Sequence, residues 1–318
     1  MHAHPDAPTA ASLVHLRASD AAGMGAVALA TGVTTAGTWL ALQHSWVAWG
    51  TGQLVIALGL VQWFVLLHEA GHMTLFRHRR LNVWAGYVAG FLALIPFAIW
   101  KRIHQRHHKW TGWQDLDPTT ATLVPRPLGA VERWLVRVCW RYWIPLFSVL
   151  YRLNNFWNPL RLSRLFEAPL RQRLCAALLV SAAVYAALMW WFGPLVLVRI
   201  FGVALILAFV VQDVLIISQH THIPMGLSHG AAVEPYATLD QQPFTRSLRM
   251  PEWFSRAVLR FDRHELHHMY PFVPGYRLGQ VPFVPDNEVS WRIWVPAARA
   301  VPGDVLLFQS RNESGFDV

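Results

Sequence analysis

Eight histidines fall in three short clusters whose spacing is that of metal ligands. His68 and His72 are four apart in "LLHEAGH". "RIHQRHHKW" carries His104, His107 and His108, and "RHELHHMYP" carries His264, His267 and His268, so H-x-x-H-H occurs twice. On a helix, residues at i, i+3 and i+4 share a face, so each cluster aims two or three imidazoles at one point. Imidazole suits iron, zinc and copper. With 16 histidines in 318 residues, one H-x-x-H-H is expected by chance about 0.04 times, so two of them are a signal rather than an accident. Eight imidazoles exceed the needs of one metal, which makes two metals the economical reading.

The first cluster alone also reads as H-E-x-x-H, a helical arrangement that holds zinc with the glutamate as general base for peptide hydrolysis. That reading leaves the other histidines unexplained. Glu69 is better cast as a carboxylate that orients a ligand imidazole. Asp213 lies inside an apolar run, where a carboxylate is costly and functional by default. It stands seven residues before His220, hence on the same helical face, and is expected to support a ligand by hydrogen bonding. Asp262 and Glu265 flank the third cluster, as either supporting or solvated groups. His2, His4, His15, His44, His78 and His229 read as surface residues. Cys139 and Cys175 read as packing residues, and no acid–base pair or nucleophile has clear spacing.

The elements that must position these clusters are membrane helices. The chain is 54% hydrophobic and only 14% charged, against roughly 25% charged in an ordinary soluble domain. Uncharged runs long enough to span occur at Ala21 to Leu42, Trp46 to Leu67, Leu174 to Phe192 and Leu195 to Gln212. They form two hairpins, and tryptophans such as Trp39, Trp46, Trp190 and Trp191 crowd their ends as an aromatic belt. Arg77 to Arg173 holds sixteen basic residues against four acids, whereas the short hairpin loops hold only Arg199. The positive-inside rule then places both termini and the segment between the hairpins in the cytoplasm. Val83 to Trp100 is apolar but contains Pro96 and two glycines. It must dip or lie in the interface, because crossing would put the first two clusters on opposite faces. Residues 1–20 read as a loose tail without a signal peptide. No polar linker divides the chain, so a single domain over 1–318 is expected. The formal net charge of +9 is assigned to the membrane surface, not to nucleic acid.

These residues resemble the membrane fatty acid desaturase superfamily over roughly Leu54 to Tyr276. That family carries H-x(3,4)-H, H-x(2,3)-H-H and H/Q-x(2,3)-H-H in this order around two hydrophobic hairpins. "HEAGHMTLFRHRRLN" and "HHKWTGWQDLDPTT" are similar to its surrounding text. The resemblance implies an all-α integral membrane fold of four spans with a cytosolic helical cap, two iron ions, and O2 as co-substrate. It implies a ninth ligand after the fourth span, where "ISQHTHIP" offers His220, favoured, or His222. It also implies that Asp117 buttresses a ligand, although Asp117 before Pro118 is equally a helix cap. The implied reaction inserts a double bond into a fatty acyl chain of a lipid or thioester. Hydroxylation or ketolation of alkanes, carotenoids or sterols is the alternative, and a membrane zinc protease is a distant one. No haem, iron–sulfur or dinucleotide motif is present, so an external ferredoxin or cytochrome is expected to supply electrons.

Overall fold

The computed structural model describes residues 7–318. Among them the α-helices up to residue 220 are, in chain order, α1 (Asp20–Ala41), α2 (Trp46–His72), α3 (Arg79–Leu92), α4 (Phe97–Trp110), α5 (Ala130–Arg141), α6 (Leu146–Phe156), α7 (Pro159–Leu165), α8 (Ala168–Phe192), α9 (Pro194–Leu197) and α10 (Val203–His220). Short helices α11 (Glu252–Ala257) and α12 (His264–Met269) follow, with a two-stranded parallel sheet of β1 (Ser247–Arg249) and β2 (Glu288–Ser290). Four helical stretches are long and apolar enough to cross a membrane: Asp20–Ala41, Trp46–His72, Ala168–Phe192 and Pro194–His220. The architecture is all-α and multi-pass, as the sequence predicts. The packing resolves two compact units interleaved in the chain. One comprises Ala18–Arg102 and Phe147–Gln212; the other comprises the residues up to Arg17, Ile103–Leu146 and Asp213–Val318.

The first, span-rich unit is built around α2. Ser19 and Ser45 cap α1 and α2 by accepting from the Ala22 and Ala48 amides. The two helices approach through small residues, the usual device of helices in lipid. A Cβ on Gly37 would lie 2.7 Å from the Ile56 nitrogen, and one on Gly52 would lie 2.6 Å from that of Ala41. Trp63 Nε1 donates to Thr34 Oγ1 across the same pair at 3.0 Å. The α3–α4 pair bends by 101° at Ala93–Pro96. Gly86 permits the fold-back, since a Cβ there would meet the Phe97 ring at 2.4 Å. The apex is tied down by Arg152 Nε donating to the Ala93 carbonyl at 3.2 Å and by Trp157 Nε1 donating to that of Leu94 at 2.9 Å. The apolar run that hydropathy alone would pass as a span is thus a sharply broken pair.

The second, histidine-rich unit sets α12 on a hydrophobic floor. Leu266, Met269 and Tyr270 are buried together with Leu13, Leu16, Val273 and Leu278. The expectation of a loose tail over 1–20 is therefore corrected for the described residues. Ala10–Leu13 form a 3-10 helix, Leu13 and Leu16 are each 2% exposed, and Tyr270 Oη donates to the Pro8 carbonyl at 2.9 Å. The physical reason is apolar burial: α12 faces its histidines one way and needs cover for Leu266 and Met269 on the other. Residues 1–6, with His2 and His4, lie outside the described residues.

Candidate metal centre

Within the histidine-rich unit, α4 and α12 share their histidines between two adjacent groups. His107, His264 and His268 meet His220, the last residue of α10, and their ligand nitrogens all lie within 4.8 Å of one another. The Nε2 atoms stand 3.2 Å apart for His107 and His268, 2.7 Å for His220 and His264, and 3.1 Å for His264 and His268. Beside this quartet, His108 Nε2 is 3.2 Å from His104 Nε2 and 3.0 Å from His267 Nε2. The helical spacing explains the division. His104 and His108 are i, i+4 and enter one group, while His107 enters the other. On α12, His264 and His268 are the i, i+4 pair of the quartet, and His267 turns to the trio.

The outer ring nitrogens fix what the inner ones can be. His107 Nδ1 donates to Asp117 Oδ2 at 2.7 Å, His268 Nδ1 to Gln241 Oε1 at 2.9 Å, and His220 Nδ1 to the Phe244 carbonyl at 3.4 Å. Gln241 is held in that orientation because its Nε2 donates to the His108 carbonyl at 2.7 Å. With the proton assigned to Nδ1 by these partners, the inner Nε2 of each ring presents a lone pair. Lone pairs of His107 and His268 facing each other at 3.2 Å repel unless a cation lies among them. The donor set therefore fits a metal that takes imidazole.

The electrostatics agree. Burial pushes the Asp117 carboxyl up, but the His107 imidazole and the Thr119 amide outweigh it and hold the carboxyl below its usual value. Burial, then the rings of His108, His264 and His107, hold His268 well below its ordinary value, so it is neutral as a ligand must be. Thr119 donates from both N (2.8 Å) and Oγ1 (2.9 Å) to Asp117 Oδ1, which fixes the carboxylate against His107.

In the span-rich unit, α2 ends on the remaining pair. The His68 and His72 rings have centroids 4.9 Å apart. Glu69 Oε1 lies 3.2 Å from His68 Nδ1, and Glu69 Oε2 accepts from Thr74 Oγ1 at 3.0 Å. Trp100 packs over this turn: its centroid is 5.8 Å from that of His68, and a Cβ on Gly71 would lie 2.1 Å from its ring.

Other residues singled out by sequence go elsewhere. His222 Nε2 lies 3.2 Å from the Phe316 carbonyl and 2.9 Å from Ser314 Oγ, away from the quartet. Asp213 is buried on α10, seven residues before His220. Glu265 takes backbone amides from Asn287 at 2.9 Å and Ser247 at 3.3 Å, so it ties α12 to the small sheet, and burial pushes its carboxyl up to about 7. Asp262 accepts from Ser255 Oγ at 2.7 Å. His78 pairs with Asp20 at the start of α1. Gln241 escaped the sequence reading because it lies far from every histidine cluster along the chain.

A multi-pass helical fold with histidine clusters that fit a metal points to a class: membrane proteins with imidazole-rich metal sites. The particular family follows from comparison. Residues 44–287 match the model of the fatty acid desaturase family, and the chain belongs to that family. It is 24% identical over 269 residues to an endoplasmic-reticulum omega-3 fatty acid desaturase of Vigna radiata, covering 79% of this chain and 66% of that protein. It is 26% identical to an acyl-lipid omega-3 desaturase (cytochrome b5) of Arabidopsis thaliana, over 79% of this chain and 65% of that protein. It is 29% identical to an sn-1 acyl-lipid omega-3 desaturase (ferredoxin) of Synechocystis sp., over 80% and 76%. The chain thus spans just under two thirds of the length of the two plant relatives.

Proposed function

We propose that the protein is a membrane desaturase that introduces a double bond into a fatty acyl chain. The reading is carried by one observation: four imidazoles of a desaturase-family chain, three buried and His220 half-buried, converge their ligand nitrogens within 4.8 Å while hydrogen bonds hold the outer nitrogens of His107, His220 and His268. Two irons are the metals proposed. Their ligands would be the eight box histidines His68, His72, His104, His107, His108, His264, His267 and His268, with His220 as the ninth. When bound, such a pair supplies the reduction of O2 and the removal of hydrogen from an unactivated C–H bond. The balance is a –CH2–CH2– segment, O2, two electrons and two protons giving –CH=CH– and two waters.

The chain's own residues bind and orient. Asp117 and Gln241 keep His107 and His268 in the tautomer that presents Nε2, and Glu69, braced by Thr74, does the same office for His68. The acyl substrate is proposed to be lipid-linked, since the Arabidopsis and Synechocystis relatives carry acyl-lipid names, with a thioester-linked chain as the alternative. Those relatives are also named with cytochrome b5 or ferredoxin, and an external donor of that kind is proposed here. The basic run from Arg77 to Arg173 would steer an acidic donor. By the same charge bias both termini and the histidines face the cytoplasm.

The test is acyl-lipid profiling of cells expressing the chain, with and without O2. The expected product is an O2-dependent gain of one double bond. A hydroxy-acyl product in its place would assign the chain to the hydroxylating alternative.

A further inference from the structure

The fourth membrane-crossing stretch is not a regular helix. Between α9 and α10 the segment Val198–Gly202 winds as a π-helix, and its cause is visible in α2. The Ala204 amide, which in an α-helix would donate to the Ile200 carbonyl, donates instead to Gln53 Oε1 at 2.9 Å. The Ile200 carbonyl accepts from Gln53 Nε2 at 2.9 Å. The Gln53 amide is thus inserted into the ladder, taking the place of one backbone bond and bridging its two halves. Trp49, one turn earlier on the same face of α2, donates from Nε1 to the neighbouring Arg199 carbonyl at 3.0 Å. Gln53 is 1% exposed, between the apolar neighbours Gly52 and Leu54 of α2. A buried primary amide there is destabilising unless both of its ends are satisfied, and the π turn is what satisfies them.

The π turn forms part of the wall of a cavity of about 530 Å³ in the span-rich unit. Leu60, Leu94, Met189, Val198 and Leu205 are among its lining. The one side-chain hydroxyl in the wall, Tyr185 Oη, donates to the Phe91 carbonyl at 2.7 Å, so the cavity offers a guest no free side-chain donor. Its rim is exposed: Met189 is 51% accessible, Phe192 53% and Val198 64%. These rim residues belong to two of the membrane-crossing stretches, Ala168–Phe192 and Pro194–His220. The mouth therefore opens on the lipid-facing side of this hairpin, beside the aromatic belt of Trp190 and Trp191.

We propose that this cavity is a binding site for one acyl chain of a bilayer phospholipid, and that Gln53 keeps it open by holding the π turn. Restoring α-helical register would rotate the segment before the turn by about 100° relative to α10 and carry Val198 and Phe201 off the wall. The inference does not depend on which reaction the histidines support.

The test is native mass spectrometry of the full chain in dodecyl maltoside micelles supplied with 1-palmitoyl-2-oleoyl phosphatidylcholine. Wild type is expected to keep one phospholipid under activation that strips detergent. Leu205→Trp, which fills the cavity without touching the clamp, and Gln53→Leu, which removes the inserted amide, should each retain about tenfold less, the loss that about two fewer buried methylenes produce. Equal retention in wild type and Leu205→Trp would overturn the site. Loss in Leu205→Trp with full retention in Gln53→Leu would overturn the role of Gln53. Retention of oleic acid in preference to the phospholipid would overturn the choice of occupant.

Discussion

Each ligand imidazole is only as well placed as the group on its far nitrogen. Asp117 is the clearest case, buried to 1% exposure and fixed by Thr119 while it accepts from His107. Loss of such a partner typically lowers metal affinity about 10–100-fold. Asp117→Asn is therefore expected to show that loss in a chelator competition assay, while Asp115→Asn, whose carboxylate accepts from Ser228, leaves affinity unchanged. Equal behaviour of the two variants would remove Asp117 from the site. The histidine spacing was legible because i, i+3 and i+4 is a local rule. The role of Asp117 was reached only through the family resemblance, and that of Asp115 not at all: alternate residues of "DLDP" in one short turn point to partners 10 and 113 positions away. Gln241 was illegible for the same reason, since its partners, His268 and the His108 carbonyl, are set by tertiary packing.

The four crossing stretches could be read from uninterrupted apolar length, and the structure returns them with boundaries shifted by up to eight residues. The α3–α4 pair was readable as an exception because Pro96 and two glycines sit in an apolar run, but only the fold shows what they do: Gly86 makes room for Phe97, and Arg152 holds the apex carbonyl. The N-terminal 3-10 helix was missed because a short polar stretch with two leucines has no period to detect; its order comes from the floor of α12. If the α3–α4 pair turns back within the bilayer, Arg77→Cys and Lys101→Cys are expected to react with a membrane-impermeant maleimide from the same, cytoplasmic side of oriented vesicles. Labelling from opposite sides would show a full crossing and would separate the first histidine cluster from the second.

The whole chain divides its labour between a span-rich unit, whose α2 brings His68 and His72 to its end, and a histidine-rich unit, where α4, α10 and α12 converge. The zinc-hydrolase reading of "HEAGH" needs one metal and Glu69 as a base. In the structure Glu69 is engaged by His68 and Thr74, which suits orientation of a ligand, and the chain belongs to a desaturase family. The most direct test of the central claim is the metal content of the purified full chain. The account predicts about two irons per chain, as expected of a nine-imidazole set, falling by at least half in His107→Ala or His268→Ala while the protein still inserts in membranes. One zinc per chain, retained in those variants, would contradict it.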